Sequence, residues 1–254
     1  MKRRYVFHRD LGLQLLALYL LLIIPFLVAL WVFDGLIGVR IREDVQASDL
    51  SLAQSISQEV DLALTKALNA VEGLSAYPGV IEADNAAMED VFSVFFNTAP
   101  DVNLVYRLDA NGIMSYHYPV GPTSTVGDDF SFRDYFQRAL ITDRPLVSRG
   151  RISPTTNQAV ATAVMPLWSE DGKFLGLIGA NIRLESLSRA LTNIIAEYPA
   201  QGGLQVIILD SSNQIIAHPD QEFLLQPANV IVPDDFLETF LAGEYSKIFE
   251  DLNG

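Results

Sequence analysis

The longest apolar run of the chain covers residues 11–33, LGLQLLALYLLLIIPFLVALWVF, and contains no charged side chain. As a helix at ~1.5 Å per residue it reaches about 34 Å, enough to cross a hydrocarbon core of ~30 Å. The run is longer than the apolar part of a secretory signal peptide, and it ends at Trp31, Phe33 and Asp34 instead of a small-residue cleavage site. We therefore predict a transmembrane helix over residues 11–33.

The next pattern, from residue 34 to about 76, places apolar residues at steps of three, four or more positions. This spacing predicts one long helix that continues out of the membrane with an apolar stripe along one side. Pro78 and Gly79 stop helical hydrogen bonding and end it. A second, shorter helix is predicted over residues 85–97, NAAMEDVFSVFFN. The stripe consists of Leu36, Val39, Val45, Leu52, Ile56, Val60, Leu64, Leu68, Val71 and Leu74.

Beyond residue 100 the pattern changes to strands. Residues 102–119 form two strand-like stretches around Asn111-Gly112, and Asn-Gly readily takes positive φ, which is a hairpin signal. A helix is predicted over 184–197, and a linker rich in Pro and Gly follows it. Three further strands are predicted over PLVSRG (145–150), AVATAVMPLW (159–168) and FLGLIGANIRL (174–184).

Residues 204–220, LQVIILDSSNQIIAHPD, resemble the first hairpin. Asp210 matches Asp109, and His218 matches His117. This weak repeat predicts two similar modules in tandem. The second module lacks the later strands of the first, so we expect the chain to be a fragment of a longer protein.

These elements predict an α+β chain, in which one long helix carries two tandem modules built from antiparallel sheets with flanking helices. The predicted segments are a basic tail (1–10), the transmembrane helix (11–33), the long helix (34–76), a first module (77–200) and the start of a second module (201–254).

Charge fixes the expected orientation. The formal net charge is −14, yet Lys2, Arg3, Arg4 and Arg9 make the first ten residues basic. By the positive-inside rule the N-terminus is cytoplasmic, and the acidic remainder lies outside the membrane. Nucleic acid is an unsuitable partner for so acidic a surface. The chain has no Cys, so it has no disulfide framework.

The sequence carries no catalytic or cofactor-binding motif, so we expect neither an enzyme nor a cofactor. His117 and His218 are interpreted as partly exposed residues at strand ends, and Asp109 and Asp210 as turn residues that accept backbone N–H groups. Two rival hypotheses are a membrane-anchored extracytoplasmic enzyme and a structural or partner-binding module without a small ligand.

The stretch GDDFSFRDYFQRAL, residues 127–140, mixes charges with aromatic rings. If Ser131 caps a helix over 133–140, Phe132 and Phe136 can point inward together with Ala139 or Leu140.

Two uses of Arg133 remain open in this stretch. It can form an ion pair with Asp128, Asp129 or Asp134, which is the commoner use of such an arginine. Alternatively it can bind a ligand carboxylate while Tyr135 covers the apolar part of the ligand.

The order of GDDFSFRDYFQRAL, PLVSRG, AVATAVMPLWSEDGKFLGLIGANIRLESL and LQVIILDSSNQIIAHP resembles the double Cache sensor domain of bacterial or archaeal transmembrane receptors. The resemblance implies two PAS-like modules on the long helix, with the ligand in the first, membrane-distal module. It also implies that Arg133 binds a ligand carboxylate and that Tyr135 and Phe136 form an aromatic wall.

Four positions differ from the amino-acid-binding branch of that family. Asp128 and Arg151 stand where the branch has Tyr, and Ser153 and Asn181 stand where it has Asp. An ammonium group without a carboxylate partner is a poorly compensated buried charge. The resemblance therefore implies a ligand that is a small organic anion, such as a carboxylate or dicarboxylate, in contact with these residues.

Together these features predict a sensor in the plasma (inner) membrane, anchored in lipid through residues 11–33 and dimeric along the long helix. The expected output domain, a histidine kinase, a diguanylate cyclase or a chemoreceptor signalling region, lies beyond residue 254.

Overall fold

The computed structural model describes residues 11–121, 123–196 and 206–231. The chain divides into two compact units, Met1–Leu52 with Ile248–Gly254, and Ala53–Lys247. The predicted positions 197–205 and 232–254 lie outside the described residues, so most of the predicted second module is not described.

A single helix, α1 (Leu11–Ser75), contains both the predicted transmembrane helix and the predicted long helix. Its part Gly12–Trp31 is long and apolar enough to cross a membrane, and it is not buried within the protein. Pro25 lies inside this apolar part. The predicted end of the long helix, near residue 76, is confirmed.

The described residues of unit Ala53–Lys247 form four more α-helices. They are α2 (Pro78–Ile81), α3 (Asn85–Thr98), α4 (Asp134–Ala139) and α5 (Leu184–Ala196). Asp84 caps α3, because its Oδ1 accepts the backbone N–H groups of Ala86 at 3.0 Å and Ala87 at 3.4 Å.

The main sheet of this unit is antiparallel, with the strand order β2-β1-β6-β5-β3, and β4 also pairs with β5. β7 and β8 form a separate hairpin. The predicted α+β class is confirmed. The strands are β1 (Val102–Leu108), β2 (Met114–Tyr118), β3 (Leu146–Val147), β4 (Arg151–Ile152), β5 (Ala159–Trp168), β6 (Phe174–Arg183), β7 (Ile208–Leu209) and β8 (Ile215–Ala217).

Successive residues of a strand point to opposite faces of the sheet, and helices pack on both faces of the main sheet. Val105 and Ala180 belong to a core cluster with Val71 of α1 and Phe92 of α3. The other face forms a second cluster with α4, whose members include Leu104, Tyr106, Leu108, Phe130, Tyr135, Phe136, Val164 and Leu177. The candidate site lies on this second face.

The two hairpins share one turn chemistry. Asp109 Oδ1 accepts the N–H groups of Asn111 at 2.8 Å and Ile113 at 2.9 Å. Asp210 Oδ1 accepts those of Ser212 at 2.8 Å and Gln214 at 3.1 Å. The interpretation of both aspartates as turn residues is confirmed.

The prediction of a partly exposed His117 is wrong, since its side chain is only 1% exposed. The chain after β2 folds back over the ring, so that Nδ1 lies 3.1 Å from the Pro119 carbonyl and Nε2 lies 3.1 Å from Ser124 Oγ. His218 is also buried, and its ring packs against Phe223.

Candidate functional site

The segment around Arg133 differs in detail from its prediction. Ser131 does not cap the helix. Instead Asp129 Oδ1 accepts the N–H of Ser131 at 2.7 Å, and Arg133 occupies the cap position of α4 with extended backbone.

The predicted inward orientation is right for Phe136 and, of the pair Ala139 or Leu140, for Ala139, and it is wrong for Phe132. Phe136 and Ala139 are buried, whereas Leu140 is 37% exposed. Phe132 precedes the helix, so its side chain is not on the buried helix face and is 67% exposed. The centroid of its ring lies 4.8 Å from Arg133 Cζ. Because α4 begins only after Arg133, Phe132 lies at the surface, whereas Tyr135 lies in the core.

Tyr135 and Tyr106 form the floor of the site. Tyr135 enters from α4, and Tyr106 lies on β1 directly opposite Gly179 of β6. A Cβ on Gly179 would come within 2.3 Å of Tyr106 Cζ, so only glycine leaves room for this ring. Both hydroxyl groups are buried, and neither has a hydrogen bond of ordinary geometry.

The pKa of Tyr135 is raised, first by burial and then by Tyr106, whereas Arg151 and Arg133 act in the opposite direction. The contribution of Tyr106 includes a side-chain hydrogen bond between the two hydroxyls, which falls outside ordinary hydrogen-bond geometry, so both hydroxyls keep capacity for a further partner. The Tyr135 phenol stays protonated at neutral pH, and it can donate to an acceptor.

Arg151 is held in place by two residues of the sheet. Its Nη2 donates to Thr162 Oγ1 at 2.9 Å and to Asn181 Oδ1 at 3.2 Å, and its Cζ lies 5.3 Å from the centroid of the Tyr135 ring. Strand pairing explains this position, because Arg151 is opposite Val160, and Thr162 is the next residue of β5 on the same face. The sequence did not predict β4, a two-residue strand inside a polar stretch.

Asn181 and Ser153 complete a buried network behind Arg151. Thr162 Oγ1 donates to Asn181 Oδ1 at 2.7 Å, and Asn181 Nδ2 donates to Ser153 Oγ at 3.2 Å. These side chains orient the guanidinium, and they leave its Nε and Nη1 without a partner.

The structure disfavours an ion pair for Arg133. Asp134 lies 3.9 Å from Nε of Arg149, and the side chain of Asp128 is exposed. Within the described residues no ion pair involves Arg133, and its buried Nε has no hydrogen-bond partner. Of the two uses considered for Arg133, the ion pair is therefore disfavoured. Part of the hydrogen-bonding capacity of Arg133 is unused.

Five buried polar groups with unused hydrogen-bonding capacity belong to four residues at Tyr135. They are the hydroxyls of Tyr106 and Tyr135, Nε of Arg133, and Nε and Nη1 of Arg151. Each can donate, and the three arginine atoms can do nothing else. Buried polar groups normally have partners, so this cluster is chemically suited to a ligand that supplies acceptors.

Sequence reasoning missed Tyr106 and Thr162. The signal that could have found them is alternation along the strands, which puts both on the face that α4 covers. However, which residues meet across β1, β6 and β5 depends on strand register, and the sequence alone did not provide it.

A cavity of about 580 Å³ lies elsewhere, between α1, α3 and α5. Its lining is mostly aliphatic and includes none of the buried polar groups without a partner. Among the described residues no group of three or more His, Cys, Asp or Glu could hold a metal ion. The arginine and tyrosine cluster, which we call the Tyr135 site, is therefore the candidate.

A family model described as the Cache domain matches residues 39–253 of the chain. Curated protein sequences give no match.

Several solved structures have a similar fold. The ligand-binding domain of the Pseudomonas aeruginosa PAO1 amino acid chemoreceptor PctC, in complex with GABA, is 20% identical with a TM-score of 0.59, over 75% of this chain and 83% of that one. That of the Pseudomonas fluorescens chemoreceptor CtaA, with L-isoleucine, is 18% identical with a TM-score of 0.61, over 76% of each chain. That of the P. aeruginosa PAO1 amino acid chemoreceptor PctB, with L-Arg, is 15% identical with a TM-score of 0.61, over 76% of this chain and 78% of that one.

Proposed function

The chain belongs to the Cache domain family, and from this membership we propose that it is the ligand-sensing, extracytoplasmic part of a transmembrane receptor. The apolar helix Gly12–Trp31 supports membrane anchoring. The similar folds are ligand-binding domains of chemoreceptors. The basic tail supports a cytoplasmic N-terminus in the plasma membrane.

The proposed ligand is a small organic anion bound at the Tyr135 site. The observation that carries this proposal is the set of unpartnered donors on Arg133, Arg151 and Tyr135. Arg133 would bind a carboxylate, and Phe136 with Tyr135 would contact the apolar part of the ligand. Asn181 and Ser153 would act as positioning residues for Arg151, and Asp128 would lie at the exposed rim.

An ammonium group is a poor fit for the same site. The neighbours in complexes with amino acids hold ligands that carry such a group. Here Asn181 supplies a neutral amide, whose Oδ1 already accepts two hydrogen bonds. A ligand ammonium would therefore add a third cation beside two guanidinium groups, which disfavours binding.

Signalling requires the ligand to bind two states of the receptor with different affinity. We propose that binding shifts α1 or the first module between such states, and that two chains associate along α1. The output domain would lie beyond residue 254. Light scattering on the full chain in detergent micelles tests the dimer, and a particle that contains a single chain would overturn this association.

Isothermal titration calorimetry on the full chain in detergent micelles tests the ligand class. We expect carboxylates without an ammonium group, such as propionate or succinate, to bind more tightly than glycine, L-valine and GABA. Arg133→Gln should weaken carboxylate binding about 10–100-fold, because it removes a charge-assisted hydrogen bond.

Arg138→Gln is the matched control. It removes the same charge from α4, which Arg133 caps, but its exposed guanidinium donates to the Val147 carbonyl. Tight binding of an α-amino acid, absence of binding by every carboxylate, or an Arg133→Gln variant that binds like the wild type would each overturn the proposal.

A further inference from the structure

We infer, on the basis of the function proposed above, that the ligand carries two separate anionic groups and that Arg151 is the second cationic clamp beside Arg133. The chemical class that fits is a short dicarboxylic acid. Arg151 would then determine specificity for a dianion over a monoanion.

The first support is the way in which Arg151 is fixed. Three contacts restrain it: Thr162 and Asn181 accept from Nη2, and the Tyr135 ring lies beneath Cζ. A guanidinium held in this way has lost its side-chain entropy before the ligand arrives, so its remaining donors bind at a lower cost. Those donors, Nε and Nη1, are buried and unpartnered.

Charge balance is the second support. Within the described part of the chain, neither Arg133 nor Arg151 has a carboxylate at ion-pair distance. Asp134 Oδ2 lies 3.9 Å from Arg149 Nε without a hydrogen bond, and Asp129 is exposed with its carboxylate on the Ser131 N–H. A monoanion would neutralise one of the two guanidinium groups and leave the other uncompensated, whereas a dianion neutralises both.

The third support is that the two arginines belong to different structural elements. Arg133 precedes α4, while Arg151 belongs to β4, so the two guanidinium groups are presented by separate elements. A ligand with two anionic ends can bind both, with one end on each guanidinium. The Tyr135 ring, which lies beneath Arg151 Cζ, would offer apolar contact to a short carbon chain between those ends.

Calorimetry with matched probe pairs tests this inference on the full chain in detergent micelles. The probes are malonate, succinate and glutarate, each compared with its monomethyl ester, which has nearly the same size and one charge less. We expect at least one diacid to bind about 10-fold or more tightly than its monoester, because one charge-assisted contact is lost. Inorganic phosphate is titrated as a compact anion.

Arg151→Gln should bring the diacid and its monoester to within about threefold of each other, while Arg144→Gln, an exposed arginine after α4, should leave the preference intact. Arg151→Lys keeps the charge and should retain part of the preference, so it tests the site even if the Gln variant unfolds. Thermal unfolding of each variant reports whether it is folded.

Three results would overturn the inference. Monoesters could bind as tightly as their diacids, Arg151→Gln could keep the full preference, or phosphate could compete with a diacid at equal affinity. In the first two cases carboxylate binding would leave the proposed function intact. Binding of ammonium-bearing ligands alone would instead overturn the proposed function itself.

Discussion

Two arginines of the main sheet, Arg107 and Arg151, use their donors differently. Arg107 on β1 is 4% exposed, and its donors reach backbone carbonyls: Nε donates to Val80 at 2.7 Å, and Nη2 donates to Ile81 and Leu175 at 3.3 Å. It thereby satisfies the end of α2, so its role is structural. Only one nitrogen of Arg151 donates hydrogen bonds within the protein. This is the difference expected between a structural and a ligand-binding arginine.

This difference predicts opposite costs of substitution. Arg107→Gln should lower the free energy of unfolding by about 2–4 kcal/mol, because it leaves buried carbonyls without donors. Arg151→Gln should change it by less than about 1 kcal/mol, because the charge it removes is uncompensated. Urea unfolding of both variants checks this, and equal losses would contradict the assignment of the two roles.

His117 gives a pH dependence at the same scale. Burial lowers its pKa from the ordinary 6.5, although the bond to the Pro119 carbonyl acts in the opposite direction. The folded state therefore binds the proton less readily than the unfolded state. It follows that the free energy of unfolding decreases as the pH falls below about 6.5, until the lowered folded-state pKa is reached.

His117→Gln should flatten this part of the stability curve. The free energy of unfolding of the wild type and the variant is measured with urea at several pH values between 7.5 and 5. Other titrating groups contribute equally to the two curves, so the difference between the curves reports the contribution of His117. Parallel curves throughout that window would show that His117 does not couple stability to pH.

At the scale of elements, the two hairpins are built alike but connected differently. Asp109 bonds only within its own turn. Asp210 uses its second oxygen, Oδ2, to accept the N–H of Gly150 at 2.9 Å. Gly150 directly precedes Arg151, and a Cβ there would lie 2.7 Å from Leu225 and 3.0 Å from Ile216. The β7–β8 hairpin is therefore attached to the segment that carries the proposed clamp.

Asp210→Ala should consequently be more disruptive than Asp109→Ala. Both variants lose turn hydrogen bonds, but only Asp210→Ala leaves the Gly150 N–H without its acceptor, which adds about 1–3 kcal/mol. Hydrogen–deuterium exchange should accelerate at Gly150 in Asp210→Ala and remain unchanged there in Asp109→Ala. Equal exchange at Gly150 in both variants would mean that the bond does not restrain this segment.

Along the whole chain, basic, apolar and acidic residues are concentrated in different segments. The apolar part of α1 lies between a basic tail and an acidic remainder, and the acidic unit Ala53–Lys247 carries the Tyr135 site. In so acidic a protein, guanidinium groups without an ion-pair partner are the feature on which the proposed anion site depends.

The absence of Cys allows a clean test of topology. Val94→Cys, at a position that is 65% exposed, should react with a membrane-impermeant maleimide in intact bacterial cells. Tyr5→Cys, in the basic tail, should react only after lysis, and the wild type provides the unlabelled control. Labelling of both positions in intact cells would contradict the orientation, and loss of Tyr5 from the mature chain would contradict the anchor.

Local chemistry made much of the fold predictable. The boundaries of β5 and β6, the end of α1 and the turn roles of Asp109 and Asp210 follow from periodicity and turn preferences within a few residues. The predicted cap of α4 was wrong because Ser131 is a favoured cap residue, whereas the helix begins after Arg133, which makes no side-chain cap hydrogen bond. Similarly, the burial of His117 depends on the path of the chain after β2, which periodicity does not report.

The apolar run predicted to span the membrane, the strand pattern, the repeated hairpin and Arg133 as a candidate ligand contact can be recognised from the order of residues. These depend on residues that are close together along the chain. Which arginines keep unused donors, and that Tyr106 belongs to the candidate site, depend on the tertiary fold. The reason is that Tyr106, Gly179 and Arg151 meet through the register of strands that are far apart in sequence.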